Sequence, residues 1–291
     1  MVCKKLALSI GGLLSLVFAM FVSTASAETK STWDQIMESK TLRVGVTISE
    51  PWFFKDANST DDAAGVRVGN DVWRGVAPLL GKEIADAMGV KLQLVETTWG
   101  SAVAALQSGQ FDVMFILDPT PQRALSIDFA PIPVLWYPTG ILAHDELKIQ
   151  NWSELNDPKY KIGAILGTAQ DQFITRALPN ATITRFQDSG TVIAAFQAGR
   201  IDIGVLTAPA ADIARGRLKT GQTILPKPIN GVAAGAAIRQ ETDPRWRNYL
   251  TTVVAYYYDT GKTQELYDQF MKFRGVDPSK VTPIVREDWP R

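Results

Sequence analysis

The pattern of apolar and polar positions in one ten-residue stretch returns ninety positions further along the chain. Ala104-Ala105-Leu106-Gln107-Ser108-Gly109-Gln110-Phe111-Asp112-Val113 is matched by Ala194-Ala195-Phe196-Gln197-Ala198-Gly199-Arg200-Ile201-Asp202-Ile203. In each copy, apolar residues at helical spacing lead to a glycine, and a short apolar run then begins at Phe111 or Ile201. That order predicts helix, turn and buried strand. Two such units predict two α/β lobes, with a cleft between them as the place to hold a small molecule.

Around the first copy the pattern predicts a capped short helix from Ser31, a strand over 42–47 that ends before Pro51, and an exposed polar hairpin or loop over 55–70. A helix over 78–88 follows, with Pro78 in its first turn and Gly89 beyond its end. Strands over 91–96 and 111–117 flank a helix over 101–107, and this alternation predicts a mostly parallel sheet with helices on its faces. Residues 118–123 then lie at a strand's carboxyl end, where open α/β sheets bind ligands. An extended apolar stretch over 135–143 leads past His144 and a short helix at 152–155 into the second unit. There the pattern predicts a strand over 161–166, a helix from Thr168 to about 178, a strand over 182–186 and the second copy. A second crossing is expected at 235–238. The tail from Pro244 is helical, with Trp246, Tyr249, Val253 and Tyr257 as a core-packing stripe returning to the first lobe.

The ends and the charge narrow the classes. Lys4 and Lys5, an apolar run over 6–22 and Ala25-Ser26-Ala27 have the three parts of a secretory signal peptide, so residues 1–27 are expected to be cleaved. Cys3, the one cysteine, lies in that segment, so the mature chain is expected to use no disulfide and no thiol chemistry. Thirty Lys and Arg balance thirty Asp and Glu with no long run of one sign. Nucleic acid and anionic membrane are therefore not expected partners. The expected organisation is a first lobe over 28–142, a second over 143–236, and a return to the first over 237–291.

Several segments together resemble solute-binding protein family 3, the periplasmic proteins that serve amino-acid ABC transporters. The likeness rests on Leu42-Arg43-Val44-Gly45-Val46, on both repeat copies, on Thr120-Pro121-Gln122-Arg123-Ala124 before Ile127-Asp128-Phe129, on Gly167-Thr168-Ala169-Gln170-Asp171, and on Asp259-Thr260-Gly261-Lys262-Thr263. It implies an α/β, two-lobed periplasmic-binding-protein-like fold of type II, each lobe a mixed, mostly parallel sheet flanked by helices and joined by two crossing segments. It also implies a periplasmic monomer that captures a small carboxylate-bearing solute and hands it to an ABC transporter permease in the inner membrane. No catalytic residue, metal or cofactor is expected.

The resemblance places the ligand's α-carboxylate on Arg123, whose planar guanidinium can form two parallel hydrogen bonds to it. Thr120 belongs to the same motif. Thr168, Ala169 and Gln170 open a helix after Gly167, and the free N–H groups of such a start favour an anion. Trp52 and Trp99 are expected as aromatic walls, and Trp73 as a weaker candidate for one.

Three departures bear on the ligand. Thr207 stands where many amino-acid binders have the aspartate that accepts the ligand's ammonium. Asp118 stands where small hydroxyl residues are common; it either takes over the ammonium or neutralises Arg123. Ser49 replaces a frequent stacking aromatic. The same fold also resembles periplasmic dehydratases acting on cyclic carboxylated precursors of aromatic amino acids, the cyclohexadienyl-dehydratase-like alternative. Asp118 would be its general acid. A sensory or accessory binding subunit is a further reading. His144, the one histidine, is expected to pack at a crossing strand rather than to hold a metal.

Overall fold

A computed structural model describes residues 30–289; the expected signal peptide lies outside the described residues. Helix α1 (Thr32–Ser39) starts at Ser31, whose side chain accepts from the Asp34 N–H. Strand β1 (Thr41–Val46) follows, then the small antiparallel sheet of β2 (Phe54–Asp56), β3 (Gly65–Val68) and β4 (Asp71–Arg74). The polar stretch is thus a hairpin strapped to β2, with Trp73 buried as part of the core. Helix α2 (Val76–Met88) ends at a left-handed Gly89, as the pattern predicts. Next come β5 (Lys91–Glu96), α3 (Ala102–Gln107), β6 (Met114–Leu117), the short α4 (Pro121–Ala124), β7 (Asp128–Phe129) and β8 (Leu135–Ala143). The second unit holds β9 (Lys161–Ile165), α5 (Ala169–Ala177), β10 (Thr182–Phe186), α6 (Ser189–Gln197), β11 (Ile203–Thr207), α7 (Ala208–Leu218), β12 (Gln222–Ile224) and β13 (Gly231–Ile238). Helices α8 (Arg245–Asp259) and α9 (Lys262–Phe273) follow, and short 3-10 turns at Pro278–Lys280 and Arg286–Asp288 come after them.

The result is the two-lobed α/β fold. In one lobe β1 pairs in parallel with β5, Val44 bridges Val113, and β6 pairs with the second half of β13. In the other, β10, β9 and β11 are parallel and β11 lies antiparallel to the second half of β8. The first halves of β8 and β13 pair with each other, Leu135 with Ala234 through Pro138 with Gly231. These two strands therefore run side by side where the chain crosses. The crossing segment of β13 starts at Gly231, four residues ahead of the expected 235–238. Glycine at 231 leaves room for the Trp289 ring, whose edge would stand 2.7 Å from a Cβ there.

The repeat has one structural meaning in both lobes. Asp112 donates its N–H to the Arg43 carbonyl and accepts the Arg43 N–H on Oδ2 at 2.7 Å; Asp202 does the same with Lys161, at 2.9 Å on Oδ2. Each aspartate thus pins the first strand of its lobe by closing both backbone groups of one residue. Two residues further along that strand, Gly45 lies under the Phe111 ring and Gly163 under Ile201, with no room for a Cβ at either. Helix, glycine turn, apolar cap and aspartate clamp form one unit used twice.

Each lobe buries its own apolar face. Ile162, Ala164, Ile203 and Val205 pack with Trp152, Leu155 and Ile174 in the second. Helix α8 docks on the first through Trp246, fully buried, whose Nε1 donates to the Asp112 carbonyl at 3.0 Å. Burial of one such side chain contributes about 1.5–3 kcal/mol. His144 lies at the end of β8 and stacks on Phe196, ring centroids 4.4 Å apart.

Candidate functional site

The carboxyl ends of strands from both lobes converge on one cavity. Ser49 and Trp52 come from the turn after β1, Trp99 from the loop after β5, Asp118 from the end of β6, Thr168 and Gln170 from the start of α5, and Thr207 from the end of β11. Ile116, Tyr137, Ile165, Val205, Leu206 and Ala210 complete the lining.

The turn carrying Trp52 is held at both ends. Ser49 and Phe53 exchange backbone bonds, and the first amides of α2 at Val76 and Ala77 donate to the carbonyls of Pro51 and Trp52. Trp52 is then sandwiched between Tyr137 and Tyr267, at 5.4 and 6.2 Å. Trp99 meets the edge of Phe53 at 5.8 Å. Both tryptophans are buried, and neither Nε1 has a hydrogen-bond partner.

Strand β6 carries an irregularity that shapes the cavity wall. Its register against β13 shifts between Gly235 and Ala236, which pair with Leu117 and Phe115 and leave Ile116 as an extra residue. Ile116 has φ +61°, a conformation a β-branched residue rarely adopts. Such a bulge re-aims a side chain, and here it makes Ile116 part of the lining.

Polar contacts knit the lobes together. The buried Asp118 carboxylate accepts the Tyr137 hydroxyl at 2.5 Å on Oδ1, and Gln170 Nε2 donates to the same Tyr137 oxygen at 3.3 Å. Burial, opposed by the nearby Arg123 charge and the Tyr137 bond, pushes the Asp118 carboxyl up to about 6. Burial, with the Asp118 charge beside it, pushes the Tyr137 phenol well above its usual range. Arg123, itself buried, donates from Nη1 to the Asp118 carbonyl at 2.9 Å and from Nη2 to the Gly167 carbonyl at 2.8 Å. Burial pulls the guanidinium below its ordinary range. At Gly167, with φ +76°, a Cβ would stand 3.2 Å from Gly100 Cα, so the two lobes touch backbone to backbone.

The sequence-predicted residues divide accordingly. Trp52, Trp99, Asp118, Thr168, Gln170 and Thr207 share the cavity. Thr120 and Ala169 line a neighbouring hollow that meets the cavity at Asp118. Arg123 is not among the lining side chains of the cavity; its Nη groups hold the main chain on both sides of the cleft. The Asp118 carboxylate takes its hydrogen bond from Tyr137, not from Arg123. Three hydroxyls serve as helix caps: Thr120 accepts from the Arg123 N–H, Thr168 from Asp171 and Thr207 from Ala210. Tyr137 and Ile116 were not legible as site residues. Tyr137 sits inside an apolar strand, and nothing local marks the side of β8 that faces the cavity.

The family described as bacterial extracellular solute-binding proteins, family 3, matches residues 42–273. The chain belongs to this family. Among curated relatives of this family 3 protein is a probable histidine-binding protein of Campylobacter jejuni, 26% identical over 205 residues, 69% of each chain. Among solved structures, an ancestral amino acid-binding protein, described as a precursor of cyclohexadienyl dehydratase, is 29% identical with a TM-score of 0.71, covering 82% of this chain and 99% of that one. An amino acid ABC transporter substrate-binding protein from Streptococcus pneumoniae, bound to L-arginine, shares the fold at 22% identity and a TM-score of 0.70, covering 88% and 100%. Among the described residues, no helix of this family 3 protein is long and apolar enough to cross a membrane.

Proposed function

We propose that this family 3 protein captures a small amino acid or related carboxylate-bearing solute between its lobes and presents the closed form to an ABC transporter permease in the inner membrane. It makes and breaks no bond. The observation that carries this reading is the Arg123 bridge: one guanidinium reaches main-chain carbonyls on both sides of the cleft, beside a cavity built from both lobes. A solute carboxylate would replace one or both carbonyl partners, giving shorter charge-assisted bonds. The start of α5, with Thr168, Ala169 and Gln170, would face the same anion from the second lobe. Asp118 would take the ammonium, Thr120 would hold the Arg123 segment, and Trp52, Trp99 and Thr207 would cover the solute's body.

The lobes would divide at 28–142, 143–236 and 237–291, with β8 and β13 bending at their shared first halves. Export through a cleaved signal peptide would place the monomer in the periplasm. Micromolar affinity, about −8 kcal/mol, lies within reach of a few charge-assisted bonds and two aromatic walls. A thermal-shift screen of amino acids, dicarboxylates, opines and small sugars tests the reading. Amino acids are expected to raise the melting temperature by mass action, and stabilisation by sugars alone would refute it.

One observation favours a second reading. A buried carboxyl held near 6 suits a general acid, and the ancestral relative is described as a precursor of a dehydratase. The binding reading takes precedence because the matching family is described as solute-binding proteins. Product formed from cyclic carboxylated precursors incubated with the pure protein would reverse the order.

A further inference from the structure

We infer that the cavity selects an amino acid whose side chain is uncharged and carries an oxygen acceptor, and that it rejects cationic side chains. This rests on the amino-acid reading above.

The first support is a balance of charge. Asp118 is the one carboxylate among the residues that line the cavity, and Arg123 is the cation beside it. A zwitterion's ammonium and carboxylate match that pair. A lysine or arginine side chain brings a second cation that meets no second acid. Thr207, the position where the family resemblance implies an aspartate, is neutral, and its hydroxyl caps α7. Acids in the segments adjoining the lining are engaged elsewhere. Glu50 binds Arg274 and Arg217, Asp171 binds Arg185 and the Gly167 N–H, and Asp212 binds Thr282. A buried cation without a counter-charge is strongly disfavoured.

The second support is independent of charge. Trp52 and Trp99 are 1% and 7% exposed, line the cavity, and have indole Nε1 atoms that are buried and unpartnered. An indole N–H can only donate, and buried donors are normally satisfied. Both donors belong to residues that line the cavity, and a solute acceptor reaching either one would satisfy it. An amide or hydroxyl oxygen supplies that acceptor without adding charge.

The experiment uses the mature chain, unfolded and refolded to strip any co-purified solute, and isothermal titration with L-glutamine, L-asparagine and L-threonine against L-arginine and L-lysine. At least one uncharged acceptor-bearing amino acid is expected to bind about tenfold or more tighter than any cationic one. Thr207→Asp, which keeps a good helix cap, is expected to narrow that gap about tenfold. Trp99→Phe, which removes the N–H together with part of the wall, is expected to weaken the preferred acceptor-bearing amino acid about threefold or more beyond its effect on L-norleucine. Arginine or lysine bound as tightly as the best uncharged amino acid would overturn this inference and leave the amino-acid reading standing. Equal loss of both probes in Trp99→Phe would overturn the acceptor requirement. Absence of binding by every amino acid would overturn both readings.

Discussion

Arg123 reaches across the cleft to Gly167: its Nη2 donates to the Gly167 carbonyl at 2.8 Å and joins the segment after β6 to the turn after β9. The bond unites a buried guanidinium on one lobe with main chain on the other, one residue before the start of α5 at Thr168. Its neighbour Nη1 anchors to the Asp118 carbonyl, so the guanidinium is pre-positioned from its own lobe before it meets the second.

Replacing Arg123 by alanine removes both anchors and leaves the helices and strands around it intact. The expected loss in affinity for carboxylate-bearing amino acids is about 2–5 kcal/mol by titration calorimetry, with an unaltered far-ultraviolet spectrum. Arg123→Lys is expected to recover little, because an ammonium lacks the planar fork.

Asp118 makes stability and binding respond oppositely to pH. Folding raises its carboxyl from 3.8 to about 6, so the folded state favours the proton. The stability this confers is full below about pH 4 and lost as pH rises through about 6. Asp118→Asn, which can still accept from Tyr137, should match the parent's melting temperature near pH 4. Above about pH 7 it should exceed it by the equivalent of about 1–3 kcal/mol. Affinity for an ammonium-bearing solute should instead fall in the parent as pH drops below about 6, where the carboxylate is neutralised. Melting and titration across that range check both signs.

Gly167→Ala tests the closeness of the lobes. A methyl 3.2 Å from Gly100 Cα, on a residue at φ +76°, strains the turn and opposes closure. Affinity should fall by about 1–2 kcal/mol although the residue contributes no side chain to the solute. Small-angle scattering with saturating solute should show a larger radius of gyration than the parent.

The twin aspartates separate stability from function. Asp112 is buried and also pairs with the Arg43 side chain, whereas Asp202 is half-buried. Asp112→Ala should therefore cost about 3–5 kcal/mol and Asp202→Ala about 1–3 kcal/mol, by denaturant unfolding. Neither residue lines the cavity, so solute affinity of the folded fraction should stay unchanged.

Local pattern carried most of the fold. The strands over 91–96, 135–143 and 182–186 coincide with β5, β8 and β10, and Ser31 and Thr168 cap the helices expected of them. The strand expected over 111–117 starts at Met114 because Phe111 turns onto Gly45 and Asp112 onto Arg43, contacts made with β1 rather than with a neighbour in sequence. Within the site, Asp118, Thr168, Gln170, Thr207 and both tryptophans were legible because strand ends and helix starts announce themselves by local chemistry.

The sequence by itself determined that this protein is built of two repeated α/β units and that their strand ends carry Arg123 and Asp118 on one side and Thr168 on the other, while the family resemblance marked Thr207 as standing in the place of an acid. Only the tertiary structure decided that Tyr137 faces Asp118, that a bulge turns Ile116 inward, and that Arg123 reaches Gly167. The reason is physical. Helices, caps and turns depend on neighbours a few residues apart, whereas the face a β8 or β6 side chain presents depends on its pairing with β13, roughly a hundred residues later in the chain.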